Sequence, residues 1–258
     1  MKNTSKILVP FDFSETSKKS LQYAIDYVGQ DEHLKILLAY ISNEDNYDVL
    51  EEAFGSIKSK FGKGLKHDIQ WVSFSGTLSN ALIYIQKEEN VQLIIMGTDG
   101  DKGDEESNTS HLVLKADCPV LVVPSNYEDF QIKNVALVLG SEEIEDNKTL
   151  ETLLKVVRRF EAKVHVITIK NKEKEYGYSD IDENNEAKIQ YYLENFYSEH
   201  TFIENTDIVE GILDYSKRKD IDAIAILPRN HSAQNKPSKG QLTEVLVLKS
   251  KIPVLTID

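Results

Sequence analysis

Two short pieces of this chain occur twice. Val91-Gln92-Leu93-Ile94 and Ile221-Asp222-Ala223-Ile224 match in residue type and order at an offset of 130, and Cys118-Pro119-Val120-Leu121 and Ile252-Pro253-Val254-Leu255 match at 134. A duplicated ending implies one structural unit used twice. The change of offset makes the loop between the matched pieces four residues shorter in the first copy.

The pattern within each copy sets the fold class. In the first, apolar runs at 7–11, 34–41, 91–96 and 120–123, with a more alternating stretch at 67–74, read as strands. Between them lie apolar residues at helical spacing: Leu21, Ala24, Ile25 and Val28 behind a cap at Ser14; Val49, Leu50, Ala53, Phe54 and Ile57; Leu78, Ala81, Leu82 and Ile85, capped by Thr77 or Ser79; and a piece over 109–116. Strands that are apolar throughout, alternating with helices, argue a parallel sheet covered on both faces. Pro119 suits a first strand position, where a missing N–H is tolerated. After a polar candidate linker, 125–132, the order restarts with strands at 135–139, 164–169, 221–227 and 254–257 and a weak one at Thr201 and Phe202. Helices are expected over 149–160, 189–196, 208–215 and 242–248, and 170–186 reads as a mobile polar insertion. The expected class is α/β, with domains over 1–125 and 133–258.

Charge and composition remove several functions. The chain has 258 residues, a net charge of −13 and a pI near 5.0. An acidic surface repels nucleic acid and anionic lipid, and no run reaches the ~18 apolar residues of a membrane span. With no secretory leader pattern either, a soluble, cytoplasmic protein is expected, with no nucleic-acid or membrane partner. The single cysteine, Cys118, permits no internal disulfide and reads as a small buried hydrophobe. Walker, zincin, CxxC and nucleophile-elbow motifs are all missing from the sequence. His111 reads as a packing residue, His165 as a strand residue facing the core or an edge, and His231 as part of a solvated loop.

The chemistry concentrates in residues 96–124, where an apolar run stops at Gly97 and a glycine- and carboxylate-rich loop leads to a helix. A strand feeding a helix N-terminus through glycines is a phosphate-holding arrangement, because free N–H groups and the positive end of the helix dipole face the anion. Asp99, Asp101, Asp104, Glu105 and Glu106 crowd that place. Their spacing does not match a calcium loop, so a solvated acidic loop and no metal are expected.

The pieces Lys6-Ile-Leu-Val-Pro-Phe-Asp-Phe-Ser14, Leu93-Ile-Ile-Met-Gly-Thr-Asp-Gly100, Ser107-Asn108-Thr109 and Cys118-Pro-Val-Leu-Val-Val123 resemble the universal stress protein family, and the whole chain looks like a tandem member. The resemblance implies, for each domain, an open five-stranded parallel sheet of order 3-2-1-4-5 with helices on both faces. It also implies an internal pseudo-dimer in which the two final strands meet. ATP-binding relatives use an aspartate after the first strand and a G-x2-G-x9-G-[S/T] loop. Asp12, Gly97, Gly100 and Ser107 match, with Asn108 and Thr109 beside them; Glu106 stands where the third glycine belongs, and the nine-residue spacer is five. In the second copy Gly240 keeps the spacing, but Leu227, Asn230, Gly140 and Gln241 replace the other elements.

Glu106 adds a Cβ and a charge beside the helix N-terminus. Two like charges ~4 Å apart at an effective dielectric near 20 repel by ~4 kcal/mol, about three orders of magnitude in affinity. The resemblance implies a cofactor-binding set of Asp12, Gly97, Gly100, Ser107, Asn108 and Thr109; with the repulsion from Glu106, no catalytic residue and no cofactor are expected. The leading reading is a non-catalytic stress-response or signalling module with an unidentified protein or small-molecule partner and room for a homodimer. The alternative is ATP binding with Mg²⁺ and slow ATPase activity in the first domain. Asp12 also has a structural reading, sharing cap duty with Ser14.

Overall fold

A computed structural model describes residues 4–42, 47–100, 112–113, 116, 118–140, 144, 147–170, 180–226 and 241–257. The chain forms two compact units, Met1–Phe130 and Gln131–Asp258. The first contains β1 (Ser5–Pro10), α1 (Glu15–Val28), β2 (Leu34–Ile41), α2 (Tyr47–Phe61), β3 (Gln70–Phe74), α3 (Leu78–Glu88), β4 (Val91–Thr98) and β5 (Val120–Pro124). The second contains β6 (Asn134–Leu139), α4 (Asn147–Phe160), β7 (Lys163–Lys170), α5 (Asp180–Leu193), β8 (Tyr197–Glu204), α6 (Ile208–Arg218), β9 (Ala223–Ile226), α7 (Gln241–Lys249) and β10 (Val254–Thr256).

Each unit is an open five-stranded parallel sheet, ordered β3-β2-β1-β4-β5 in the first and β8-β7-β6-β9-β10 in the second. Helices cover both faces. Phe54 of α2 stacks on Trp71 while Tyr84 of α3 meets Phe74, and residues three apart in a strand point to opposite faces. Central strands are accordingly buried on both sides: Ile7, Leu8 and Val9 in the first unit and Val135, Ala136 and Leu137 in the second expose 0–1% of their surface. The doubly apolar runs of the sequence are these strands.

Several local expectations change. The strand expected from residue 67 begins at Gln70, because His67 turns aside to bond the Glu32 carbonyl through Nε2 at 2.8 Å. α5 begins at Asp180 rather than 189, so residues 180–186 of the expected polar insertion are helical. Asp180, Asp182 and Glu183 sit in its first turn, where the dipole favours carboxylates. The weak strand at Thr201 is the eight-residue edge strand β8. Of the helix expected over 109–116, Leu112 and Val113 are helical and buried; its other residues, apart from Ala116, lie outside the described set.

The expected linker is anchored at both ends. Ser125 N–H donates to the Thr98 carbonyl at 2.8 Å, Lys19 Nζ donates to the Ser125 carbonyl, and the Tyr127 and Phe130 rings pack against Tyr23 at 6.1 and 4.7 Å. In the second unit, buried Asp222 accepts from Gln131 Nε2 and from the Lys133 and Asn134 N–H groups, each at 2.8 Å. Among the described residues no helix is long and apolar enough to cross a membrane.

Candidate functional site at the β1–β4 switch point

From β1 the chain passes to β2 on one side, while β4 enters on the other. Oppositely directed connections leave a crevice beyond the carboxyl ends of two neighbouring strands, where open α/β sheets bind ligands. Asp12 follows β1, and Gly97 and Gly100 lie at the end of β4, so the fold brings these three to one switch point. Ser107, Asn108, Thr109, Glu106 and His111 lie outside the described residues, as do 227–240 in the second copy, which include His231 and Gly240. Gln241 opens α7.

The turn from β1 into α1 is held by its own side chains. Asp12 Oδ1 accepts the Ser14 N–H at 3.0 Å, and Ser14 Oγ accepts the Ser17 N–H at 3.1 Å as the N-cap. Partial burial pushes the Asp12 carboxyl upward, but hydrogen bonds from the Ser14 and Ser17 side chains and the Ser14 N–H outweigh it and hold it below its ordinary value. Phe13 between them has φ +64°, a left-handed conformation costing a bulky residue about 1–2 kcal/mol. Its ring repays that by packing with Phe11, Phe54 and Tyr40 at 5.1, 4.9 and 5.8 Å.

At the end of β4, the two glycines serve different needs. A Cβ on Gly97 would lie 2.6 Å from Thr16 Cγ2 and 2.8 Å from the Thr16 carbonyl oxygen, so the first turn of α1 rests on the bare strand backbone. Gly100 has φ +81°, the region that favours glycine. Its N–H donates to the hydroxyl of buried Thr98 at 3.2 Å. Asp99, exposed between them, accepts a hydrogen bond from the Thr16 hydroxyl through Oδ1. The Ser14, Ser17 and Gly100 N–H groups and the Thr16 hydroxyl, all donors an anion would seek, thus point at internal acceptors.

In the second unit the corresponding strand β6 is followed by Gly140, where an added Cβ would meet nothing within 4 Å. Just beyond, the backbone of buried Ile144 is clamped by α5: its N–H donates to Asn185 Oδ1 at 2.8 Å, and its carbonyl accepts from Lys188 Nζ at 2.9 Å.

Among the described residues the largest electrostatic perturbation lies elsewhere, at Glu199 beside His165, a histidine that the sequence reading places facing the core or a sheet edge. Glu199 is its partner across β7 and β8. Glu199 Oε1 accepts from Lys219 at 2.7 Å and from the Tyr215 hydroxyl at 3.0 Å, with His165 Nδ1 at 3.2 Å. Lys219, then Tyr215, hold the Glu199 carboxyl at about 2, against the desolvation that would raise it. Burial, helped by Glu199, raises the Tyr215 hydroxyl above its ordinary value. The spacing of Tyr215 in α6 and Lys219, the C-cap four residues on, is the one sequence signal for this cluster; the strand register that adds Glu199 is not readable. On the opposite face His200 Nε2 meets Thr168 Oγ1 at 2.9 Å and Tyr197 donates to Glu186 at 3.0 Å. These groups tie the edge strand to α5 and α6. Among the described residues no set of three or more His, Cys, Asp or Glu could hold a metal ion.

Comparison with solved structures returns the same fold over the full length. A universal stress protein from Archaeoglobus fulgidus DSM 4304 has a TM-score of 0.71 and 16% identity, covering 99% of this chain and 97% of its own. A protein of unknown function from Pseudomonas aeruginosa PAO1 has a TM-score of 0.61 and 13% identity, covering 99% and 93%. The cytoplasmic domain of a prokaryotic cation chloride cotransporter has a TM-score of 0.58 and 11% identity, covering 99% and 96%. No curated protein sequence matches this chain significantly. The model of the universal stress protein family matches twice, over residues 3–124 and 132–258, and the chain therefore belongs to that family, with two of its domains in tandem.

Proposed function

We propose that the chain is a non-catalytic module of stress response or signalling, built from domains 1–125 and 133–258, whose nucleotide loops are degenerate. The observation that supports this most is the internal use of the anion donors at the first switch point. Asp12 takes the Ser14 N–H, Thr98 takes the Gly100 N–H, and Asp99 takes the Thr16 hydroxyl. A triphosphate with Mg²⁺ does not fit these residues as they stand, because it would have to displace three acceptors, two of them carboxylates. In the second domain Gly140 supplies no carboxylate at the end of β6. The working surfaces are then the loops following β4 and β9, offered to a protein or small molecule in the cytoplasm.

A second reading, ATP binding with slow ATPase activity through Asp12, Gly97, Gly100, Ser107, Asn108 and Thr109, is favoured by one feature. The Asp12 carboxyl is held below its ordinary value beyond the carboxyl end of β1, next in the sheet to the strand carrying Gly97. Calorimetry with ATP and Mg²⁺ separates the two. We expect affinity weaker than ~100 μM; tighter binding, or ATP retained through purification, sinks the degenerate-site reading. Glu106→Gly should raise affinity if that residue helps to exclude the nucleotide.

A further inference from the structure

We infer that Asp99 sets which charge the first crevice accepts, and that as a carboxylate bonded to Thr16 it turns phosphate away. The inference rests on the reading above that this crevice is a former nucleotide site, and it names the residue that decides its ligand class.

Three observations combine. Thr16 lies in the first turn of α1, where the helix dipole is positive and an anion is favoured. Its hydroxyl donates to Asp99 Oδ1, so a carboxylate already answers that end of the helix. The contact is not incidental to a loose loop. The Thr16 carbonyl oxygen lies 2.8 Å from where a Cβ of Gly97 would be, so α1 is seated on β4 immediately before Asp99. The backbones that carry Thr16 and Asp99 are therefore held side by side.

An incoming phosphate would sit beside a like charge. At about 6 Å, in surroundings between protein and water, one such charge is worth about tenfold in affinity. An uncharged ligand meets no such repulsion. The crevice then discriminates by charge rather than by shape, and removing the charge while keeping the hydrogen bond reveals it.

The test compares the full chain with Asp99→Asn and Thr16→Val, measuring calorimetric affinity for Mg·ATP and for adenosine, with circular dichroism melts as the control for folding. Asparagine keeps an acceptor for Thr16 and loses the charge. We expect it to raise Mg·ATP affinity at least tenfold and leave adenosine unchanged. Valine removes the donor and keeps the charge, and should raise neither. The inference is overturned if Asp99→Asn moves Mg·ATP affinity by less than threefold, moves adenosine by the same factor, or leaves Mg·ATP undetected at millimolar concentration. A gain from Thr16→Val equal to that from Asp99→Asn also overturns it, since the contact and not the charge would then decide. Tight Mg·ATP binding by the unsubstituted chain fails the degenerate-site reading alone, because the charge inference is judged on the ratio between the chains.

Discussion

Replacing Gly97 with alanine tests whether that glycine is kept for packing. The new methyl carbon would lie 2.6 Å from Thr16 Cγ2 and 2.8 Å from the Thr16 carbonyl oxygen, where carbon contacts want ~3.5–4.0 Å. The Thr16 side chain has little freedom to retreat, since its hydroxyl is engaged by Asp99. The carbonyl belongs to the first turn of α1, so the helix itself must move. Overpacking of this kind costs about 1–3 kcal/mol. Gly140 is the internal control: an added Cβ there meets nothing within 4 Å, so alanine should be neutral or stabilise by about 0.4–1 kcal/mol through the unfolded chain. The single tryptophan, Trp71, lies in β3 of the first unit and reports that unit's unfolding in urea. With urea slopes of about 1–3 kcal/mol per molar, a 2 kcal/mol loss moves the Trp71 midpoint down by roughly 1 M. A Gly97→Ala midpoint within ~0.2 M of the parent chain would refute the packing account, and so would an equal loss for Gly140→Ala.

Two further outcomes are expected in the second unit. Asp222→Ala removes a buried acceptor of three hydrogen bonds and should cost about 3 kcal/mol, read as a lower melting temperature in calorimetry; a change under ~1 kcal/mol would mean that these bonds do not hold residues 131–134. Glu199 has a carboxyl depressed from 4.5 to about 2. Its stabilisation is therefore fully present above pH 4.5 and fades as pH falls toward 2. Because the side chain is 39% exposed, solvent screening discounts the contribution to about 1 kcal/mol. Glu199→Gln should flatten the acid limb of a stability-against-pH curve between those values, and an unchanged limb would show that the cluster contributes nothing there.

The element order is legible in the sequence because the central strands are buried on both faces and so read as unbroken apolar runs. β8 and α5 are the exceptions, for a common reason. β8 is an edge strand with no fully buried position. α5 turns polar residues inward, burying Asp182 and Asn185 beside Ile189 and Leu193. Asn185 earns its place by taking the Ile144 N–H, and a search for apolar periodicity cannot see a buried amide with a backbone partner. The His165 cluster is hidden in the same way. Its residues span positions 165 to 219 and meet only through the β7–β8 register.

At the switch point, the positions of Asp12, Gly97 and Gly100 are legible but their duties are not. Each has an internal occupation sufficient to explain its residue type. Asp12 fastens the turn into α1, Gly97 lets that helix rest on β4, and Gly100 takes a left-handed turn. A glycine or aspartate at a motif position is thus weak evidence for a bound nucleotide whenever the fold itself requires it. The informative position is the one where the residue present carries more than its hydrogen bond to a neighbour needs. Asp99 is exposed, and its backbone does not share the left-handed conformation of Gly100. An asparagine or serine could also accept from Thr16. The Thr16 hydrogen bond does not by itself require the negative charge of Asp99, and for that reason the charge is where a functional account of this crevice has to begin.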